Sequence, residues 1–300
     1  MENQSSRRRF LGASLYALAR TQAAAPSRII DTHIHLYDPT RPQGVPWPPK
    51  DDALLYRRTL PADFTAATQG LGVTGAVVIE SNALFEDNQW VLDLAAGNPL
   101  IVAFVGHLDP GNPSFPQHLA RFAKNRLFRG IRLTGRAIAS GLPQPAFVAG
   151  LQQLADRDLQ IDAIGDHTMF SDLIALSDRA PRLRIVIDHL PFELGNHETA
   201  FRDLASRPQV YAKVSGVLRR DGDRTPLELS LYRDSLDRLW ETFGRDRLLY
   251  GSNWPVSNRF APYPSVLRIV REYFTGKGAE ASERYFWKNS LAAYKWTHQP

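Results

Sequence analysis

His33 and His35 stand one residue apart in the run Ile29-Ile30-Asp31-Thr32-His33-Ile34-His35. On an extended strand, side chains two apart share a face, so the two imidazoles point the same way. Such a pair can clamp one divalent ion; the plainer alternative is two histidines hydrogen-bonded in a polar setting without metal. Further along come Glu80, His107, Arg132 with Arg136, Asp162, Asp166-His167, Asp188-His189, Lys213 with Ser215, and Asn253-Trp254-Pro255. Imidazoles and carboxylates of this kind supply acid–base chemistry, and guanidinium groups hold a carboxylate or a developing oxyanion. Singly, each has an ordinary explanation, since an arginine beside a carboxylate is commonly a structural ion pair. The chain has no cysteine, so any metal must be held by His, Asp, Glu or their amide relatives.

These residues recur at the ends of short apolar, β-branched runs. Eight such runs are expected as strands: Arg28–Leu36, Val73–Ser81, Leu100–Leu108, Gly130–Thr134, Leu159–Gly165, Arg184–Leu190, Val210–Ser215 and Leu248–Ser252. Their apolar character on both faces is that of parallel strands covered by helices. Helical patterns lie between them at Asp63–Gly70, Asn88–Ala96, Gln117–Asn125, Ala146–Asp158, Met169–Arg179, Glu198–Ser206, Leu227–Phe243 and Ser265–Phe274, and a last helix is expected over Ala281–Trp296. Pro61, Pro116, Pro145, Pro226 and Pro264 mark helix starts. Eight strand–helix units in one domain over residues 27–300 predict an α/β fold, the (β/α)8 TIM barrel. A doubly wound sheet would carry a glycine-rich loop after its first strand, where this chain has His33 and His35 instead. In a barrel the C-terminal strand ends form the active face, and polar groups gathered there are costly unless paired or used.

Composition narrows the class. Apolar types make up 43% of the 300 residues and charged types 22%, which excludes a disordered or coiled-coil chain. The formal charge of +5 owes most to residues 1–25, with Arg7, Arg8, Arg9 and Arg20 against Glu2. Beyond them no basic stripe of the kind that follows nucleic acid is present. Ser6-Arg7-Arg8-Arg9-Phe10-Leu11, a short apolar run to Ala19 and Ala23-Ala24-Ala25 resemble a twin-arginine signal peptide. Residues 1–25 are therefore expected to engage the twin-arginine export machinery and to be cleaved, giving a periplasmic or secreted protein. A stable membrane anchor is not expected, because the apolar run is too short to span a bilayer.

The ordered motifs IDTHIHL, GIR, IDHL, YGSNWPV and FWKNSLAAYKW, spread from Ile29 to Trp296, resemble the amidohydrolase superfamily. They are most similar to its amidohydrolase-related branch of sugar-lactone and dicarboxylate-lactone hydrolases. The resemblance implies hydrolysis of a small-molecule lactone or a related cyclic ester or amide. It implies a divalent metal, usually zinc, on His33, His35 and His189, although some lactonases of the branch work without one. It also places Trp254 beside the site, while the size of that side chain alone suits a core.

One position departs from the resemblance. The strand-eight residue is usually Asp in GSDWP, and here it is Asn253. Asn cannot accept a proton from attacking water, but its carbonyl oxygen can still orient a group or ligate a cation. Hydrolysis then needs another base, with His189, Asp162, Asp166 or Glu80 as candidates, and with Arg132 holding a substrate oxygen or carboxylate. The other readings are a catalytically silent binder of a carbohydrate-like ligand and a metal-dependent decarboxylase. Arg136, Glu80 and Lys213 complete the expected substrate contacts. Trp47, among Pro39, Pro42, Pro46, Pro48 and Pro49 in the long segment Tyr37–Leu60, either forms a stiff wall for a sugar-like ring or a rigid cover.

Overall fold

The computed structural model describes residues 26–189 and 194–297. The expected signal segment, residues 1–25, lies outside the described residues, as do Leu190, expected to end the sixth strand, and the tail 298–300. Eight parallel strands, β1 (Ile29–Ile34), β2 (Val73–Ile79), β3 (Ile101–Gly106), β4 (Phe128–Thr134), β5 (Gln160–Ile164), β6 (Arg184–Ile187), β7 (Val210–Val214) and β8 (Leu248–Tyr250), pair in sequence order. The sheet closes on itself just past the strand ends, where His35 N donates to Trp254 O and Asn253 N donates to His33 O, each at 2.9 Å. This is a single (β/α)8 barrel, and every strand pair in it is joined through an intervening helix or helices.

Two apolar layers hold it. Ile34, Ala76, Val78, Phe104, Ile131, Ile161, Ile185 and Leu248 face outward onto the helices. Ile30, Val77, Ile79, Ala103, Val105, Val186 and Leu249 belong to a second, interior layer, together with Tyr294 and Trp296 from the end of the chain. That terminal segment closes the barrel at the N-terminal strand ends. Arg129 and Arg184, near the starts of β4 and β6, donate to the carbonyls of Tyr294 and Ala293 at 2.7 Å each.

Four of the five prolines expected at helix starts stand in a first turn, those of α1 (Pro61–Thr68), α3 (Phe115–Phe122), α5 (Pro145–Asp156) and α9 (Tyr263–Gly276), where a missing N–H costs nothing. The second helix is α2 (Phe85–Ala96). Pro226 is the exception, since α8 (Arg233–Phe243) begins only after a 3-10 turn at Leu229–Leu231. The expected helix Ala281–Trp296 is instead three pieces, α10 (Ala279–Glu283), a π turn at Arg284–Lys288 and α11 (Asn289–Tyr294). The wide turn carries Tyr285 onto Phe274 and Phe286 onto Tyr250. A short helix, α4 (Gly135–Gly141), follows β4 without having been expected, while α6 (Phe170–Arg179) and α7 (Glu198–Ser206) match their patterns.

Gly130 shows why the GIR motif begins with glycine. A Cβ there would lie 2.0 Å from Gln160 Oε1 and 2.1 Å from Gln160 O. Gly130→Ala must push β5 away and is expected to lower stability by about 1–3 kcal/mol, measured as a shift in denaturant midpoint at constant slope. An unchanged midpoint would show that the two strands are not in this close contact.

Candidate active site

A bulge in β1 between Asp31 and Ile34 turns His33 and His35 into the barrel together. Asp31 itself turns the other way and ties β1 to β8. Its carboxylate accepts from His33 N (3.1 Å), Ser252 N (2.9 Å) and Tyr263 Oη (2.9 Å). Burial pushes the Asp31 carboxyl up to about 6, against the pull of these donors.

The two imidazoles meet with Nε2 atoms 3.2 Å apart, and the His189 ring lies 4.3 Å from that of His33, centroid to centroid. Burial depresses all three. His33 falls well below the usual imidazole range, His35 to about 3 with Arg132 adding to the effect, and His189 to about 4. All three are therefore neutral at pH 7, and the direction of each hydrogen bond follows. His35 Nδ1 faces the Ile79 carbonyl at 3.1 Å, which can only accept, so His35 Nε2 is bare. His33 Nε2–H then donates to it, and His33 Nδ1 is left to accept from Lys213 Nζ at 3.3 Å.

Lys213 is fully buried on β7, where it also donates to Asp162 Oδ2 (2.5 Å) and forms an ion pair with Asp188 Oδ1 (2.8 Å). Asp162 is held from below by Gln160 Nε2 (3.0 Å) and by Tyr294 Oη (3.1 Å). A polar column thus rises along the barrel axis from Tyr294 through Asp162 and Lys213 to the imidazoles. Within the carboxylate pair, burial lifts Asp162. It also opposes the charge on Asp188, but the ammonium of Lys213 outweighs it and keeps Asp188 ionised.

Several expected roles change in this arrangement. Lys213 and Asp162 are not a substrate contact and a free base, because each uses its polar atoms on the other and on further buried partners. Asp166 is exposed beyond β5 and caps the turn at His167–Met169 through Thr168 N (2.8 Å), away from the imidazoles. Arg136 is an exposed residue of α4. Trp254 is buried against Phe64, ring centroids 5.4 Å apart, on the helix side of the barrel. Asn253 joins the site through its backbone. Its φ of 60°, a left-handed conformation that Asn tolerates better than most residues, places its N–H on the His33 carbonyl. Its side chain lines a small pocket with Gly216, Leu218, Ser257 and Phe260; Oδ1 is buried without a partner, and no hydrogen bond links the amide to an imidazole.

The remaining expected site residues lie beside the imidazoles. Arg132 Nε is 2.9 Å from Glu80 Oε1, and its charge is felt by both His35 and His189. Trp47 stands edge-on to His35, ring centroids 5.7 Å apart, and to Tyr37. His189, also in a left-handed conformation at φ 50°, has Nδ1 2.6 Å from Ser215 Oγ.

Could these imidazoles hold a metal? Two bonds of about 2.0–2.1 Å meeting at roughly 100° would span the observed Nε2 separation, so His33 and His35 fit as two ligands. Among the described residues no group of three His, Asp or Glu side chains is placed to hold a metal ion. The fit extends to a pair and no further.

A β/α barrel with neutral imidazoles and a guanidinium gathered at the C-terminal strand ends has the architecture of a barrel hydrolase. The chain belongs to the amidohydrolase family, whose model, described as Amidohydrolase, matches residues 30–296. It is 32% identical over 280 residues to an L-fucono-1,5-lactonase of Burkholderia ambifaria, covering 89% of this chain and 95% of that one. It is 27% identical over 261 residues to a 4-sulfomuconolactone hydrolase of Rhizobium radiobacter, covering 80% of this chain and 79% of that protein. The fold is shared with the crystal structure of an amidohydrolase from Burkholderia multivorans with bound zinc, at a TM-score of 0.78 and 24% identity, covering 90% of this chain and 99% of that one.

Proposed function

We propose that the protein hydrolyses a lactone, with His189 as the base. The observation that carries this is the convergence of three neutral imidazoles beside Arg132, in a chain similar along its length to a sugar lactonase. With its Nδ1–H given to Ser215 Oγ, His189 keeps a bare Nε2 to take a proton from water as the water oxygen attacks the lactone carbonyl. Arg132 is tied to Glu80 through Nε, which leaves its terminal amino groups to meet the developing oxyanion. The ring C–O bond then breaks, the leaving alkoxide recovers the proton from His189, and a hydroxy acid is released. Trp47 forms the wall against which the ring lies.

A divalent ion, zinc above all, held by His33 and His35 would polarise the carbonyl and acidify water. Because only two ligands are in place among the described residues, lactone turnover is expected to survive exhaustive chelation. Loss of turnover that added zinc restores would mean that a third ligand forms which the resting arrangement does not present.

The test of the function is a panel of aldono-1,5-lactones and carboxylated lactones, followed by acid release. Turnover that disappears in His189→Ala supports the reading. Ligand-induced thermal stabilisation without turnover would favour a silent binder instead, and carbon dioxide release from an unsaturated acid would favour a decarboxylase. We propose further that residues 1–25 direct the folded barrel through the twin-arginine machinery to the periplasm. Fractionation of cells making wild type and an Arg8→Lys, Arg9→Lys variant tests this; equal distribution of the two would refute it.

A further inference from the structure

Two buried polar atoms beside the proposed site have no partner among the described residues. Glu80 gives Oε1 to Arg132 Nε, and its Oε2 is buried with no hydrogen bond. Asn82 is 3% exposed; its Oδ1 accepts from Trp47 N at 2.8 Å, which fixes the amide orientation and leaves Nδ2 buried and unbonded. The two residues follow β2 two positions apart; Asn82 bonds Trp47, which stands edge-on to His35, and Glu80 pairs with Arg132, whose charge acts on His35. An orphaned acceptor and an orphaned donor are each costly in lost solvation unless something meets them.

The charges here are unusual for a site that would receive an acid. Arg132 is already neutralised by Glu80, the two side chains being 12% and 11% exposed. A carboxylate on the substrate would meet an arginine whose charge Glu80 already balances, and would be repelled by the unpartnered Oε2 of Glu80. A hydroxyl has the complementary chemistry, since its O–H can donate to Glu80 Oε2 and a neighbouring hydroxyl oxygen can accept from Asn82 Nδ2.

Resting on the lactonase reading above, we infer that Glu80 and Asn82 recognise adjacent ring hydroxyls of a neutral polyhydroxylated lactone, and that Glu80 excludes lactones bearing a carboxylate. Glu80 acts here as a specificity residue: it accepts a hydrogen bond from one substrate class and repels the other.

The experiment compares kcat/KM for an aldono-1,5-lactone and for the aldarolactone of the same ring, in which a carboxylate replaces the terminal carbon substituent. Wild type is expected to prefer the neutral lactone by about a hundredfold or more, as sites built around a substrate hydroxyl do. Glu80→Gln keeps an oxygen for Arg132 and turns the open acceptor into a donor. It is expected to slow the neutral substrate and speed the acidic one, moving the ratio by about two orders of magnitude. Asn82→Ala should raise KM for the aldono-lactone and leave KM unchanged for a deoxy analogue lacking the hydroxyl it binds. A wild type that prefers the aldarolactone overturns the inference while leaving the lactonase reading intact, and so does a folded Glu80→Gln whose ratio is unchanged. Should Glu80→Gln fail to fold, the wild-type ranking and the Asn82→Ala comparison decide the matter. A wild type that opens neither lactone refutes the lactonase reading itself.

Discussion

Lys213→Met is expected to destabilise the barrel by about 3–5 kcal/mol, the cost of leaving buried carboxylates without their cation. The side chain is fully buried, donates to Asp162 and His33 and pairs by charge with Asp188, so its removal strips one partner from three groups at once. Stripped of the ammonium, the carboxylates bind protons more tightly folded than unfolded. The loss should therefore shrink as pH falls, because the folded state of the variant takes up protons that the unfolded state does not. Thermal and denaturant unfolding of the variant across pH would measure this. Wild-type stability at neutral pH would mean that the three groups are solvated and the column is not formed. Asp162→Asn together with Lys213→Met should recover part of the loss, since it removes one of the stranded charges.

Replacing His189 by Ala should lower kcat by about a hundred- to ten-thousandfold, the usual worth of a positioned general base, with a smaller effect on KM. Position 253 supplies the control. In the doubly changed His189→Ala, Asn253→Asp protein, the new carboxylate is expected not to restore turnover, because residue 253 reaches the imidazoles only through its backbone. Recovery of wild-type rates in the double variant would place the side chain at 253 on the attacking water and remove His189 from that role. Single-turnover kinetics on the same substrates separate this from an effect on product release.

The barrel was legible because its strands are apolar on both faces and its helices are not, a contrast that survives in composition alone. Boundaries were less so. Pro226 looks like a helix start, yet the tertiary fold spends the following residues on a turn before α8 begins. His33, His35, His189, Arg132 and Glu80 were legible as candidates from their place at strand ends, and Trp47 from the proline-rich segment around it. Lys213 and Asp162 were seen but misassigned. A charge of each sign inside otherwise apolar strands has to be paired, and that rule applied to positions 162 and 213 would have joined them. Trp254 resembles a site residue by motif, but a ring of that size is drawn into the apolar layer around Phe64. Asn82 and Tyr294 carry no local signal: one is defined by a proline-rich segment folding back onto it, the other by a terminal turn entering the barrel from beneath.

The axial column also bears on how the chain matures during synthesis. Its contacts join residues far apart in order of translation, 180 positions between His33 and Lys213 and 132 between Asp162 and Tyr294. A nascent chain that has made the first four strands holds its histidine pair without the ammonium that orients it, and the seal at the base arrives later still. Contacts this distant form slowly, because loop closure must come before they return any energy. Half-barrels would on this view be inert and sticky, and competence for chemistry should appear in one late, concerted event after the final turn has docked.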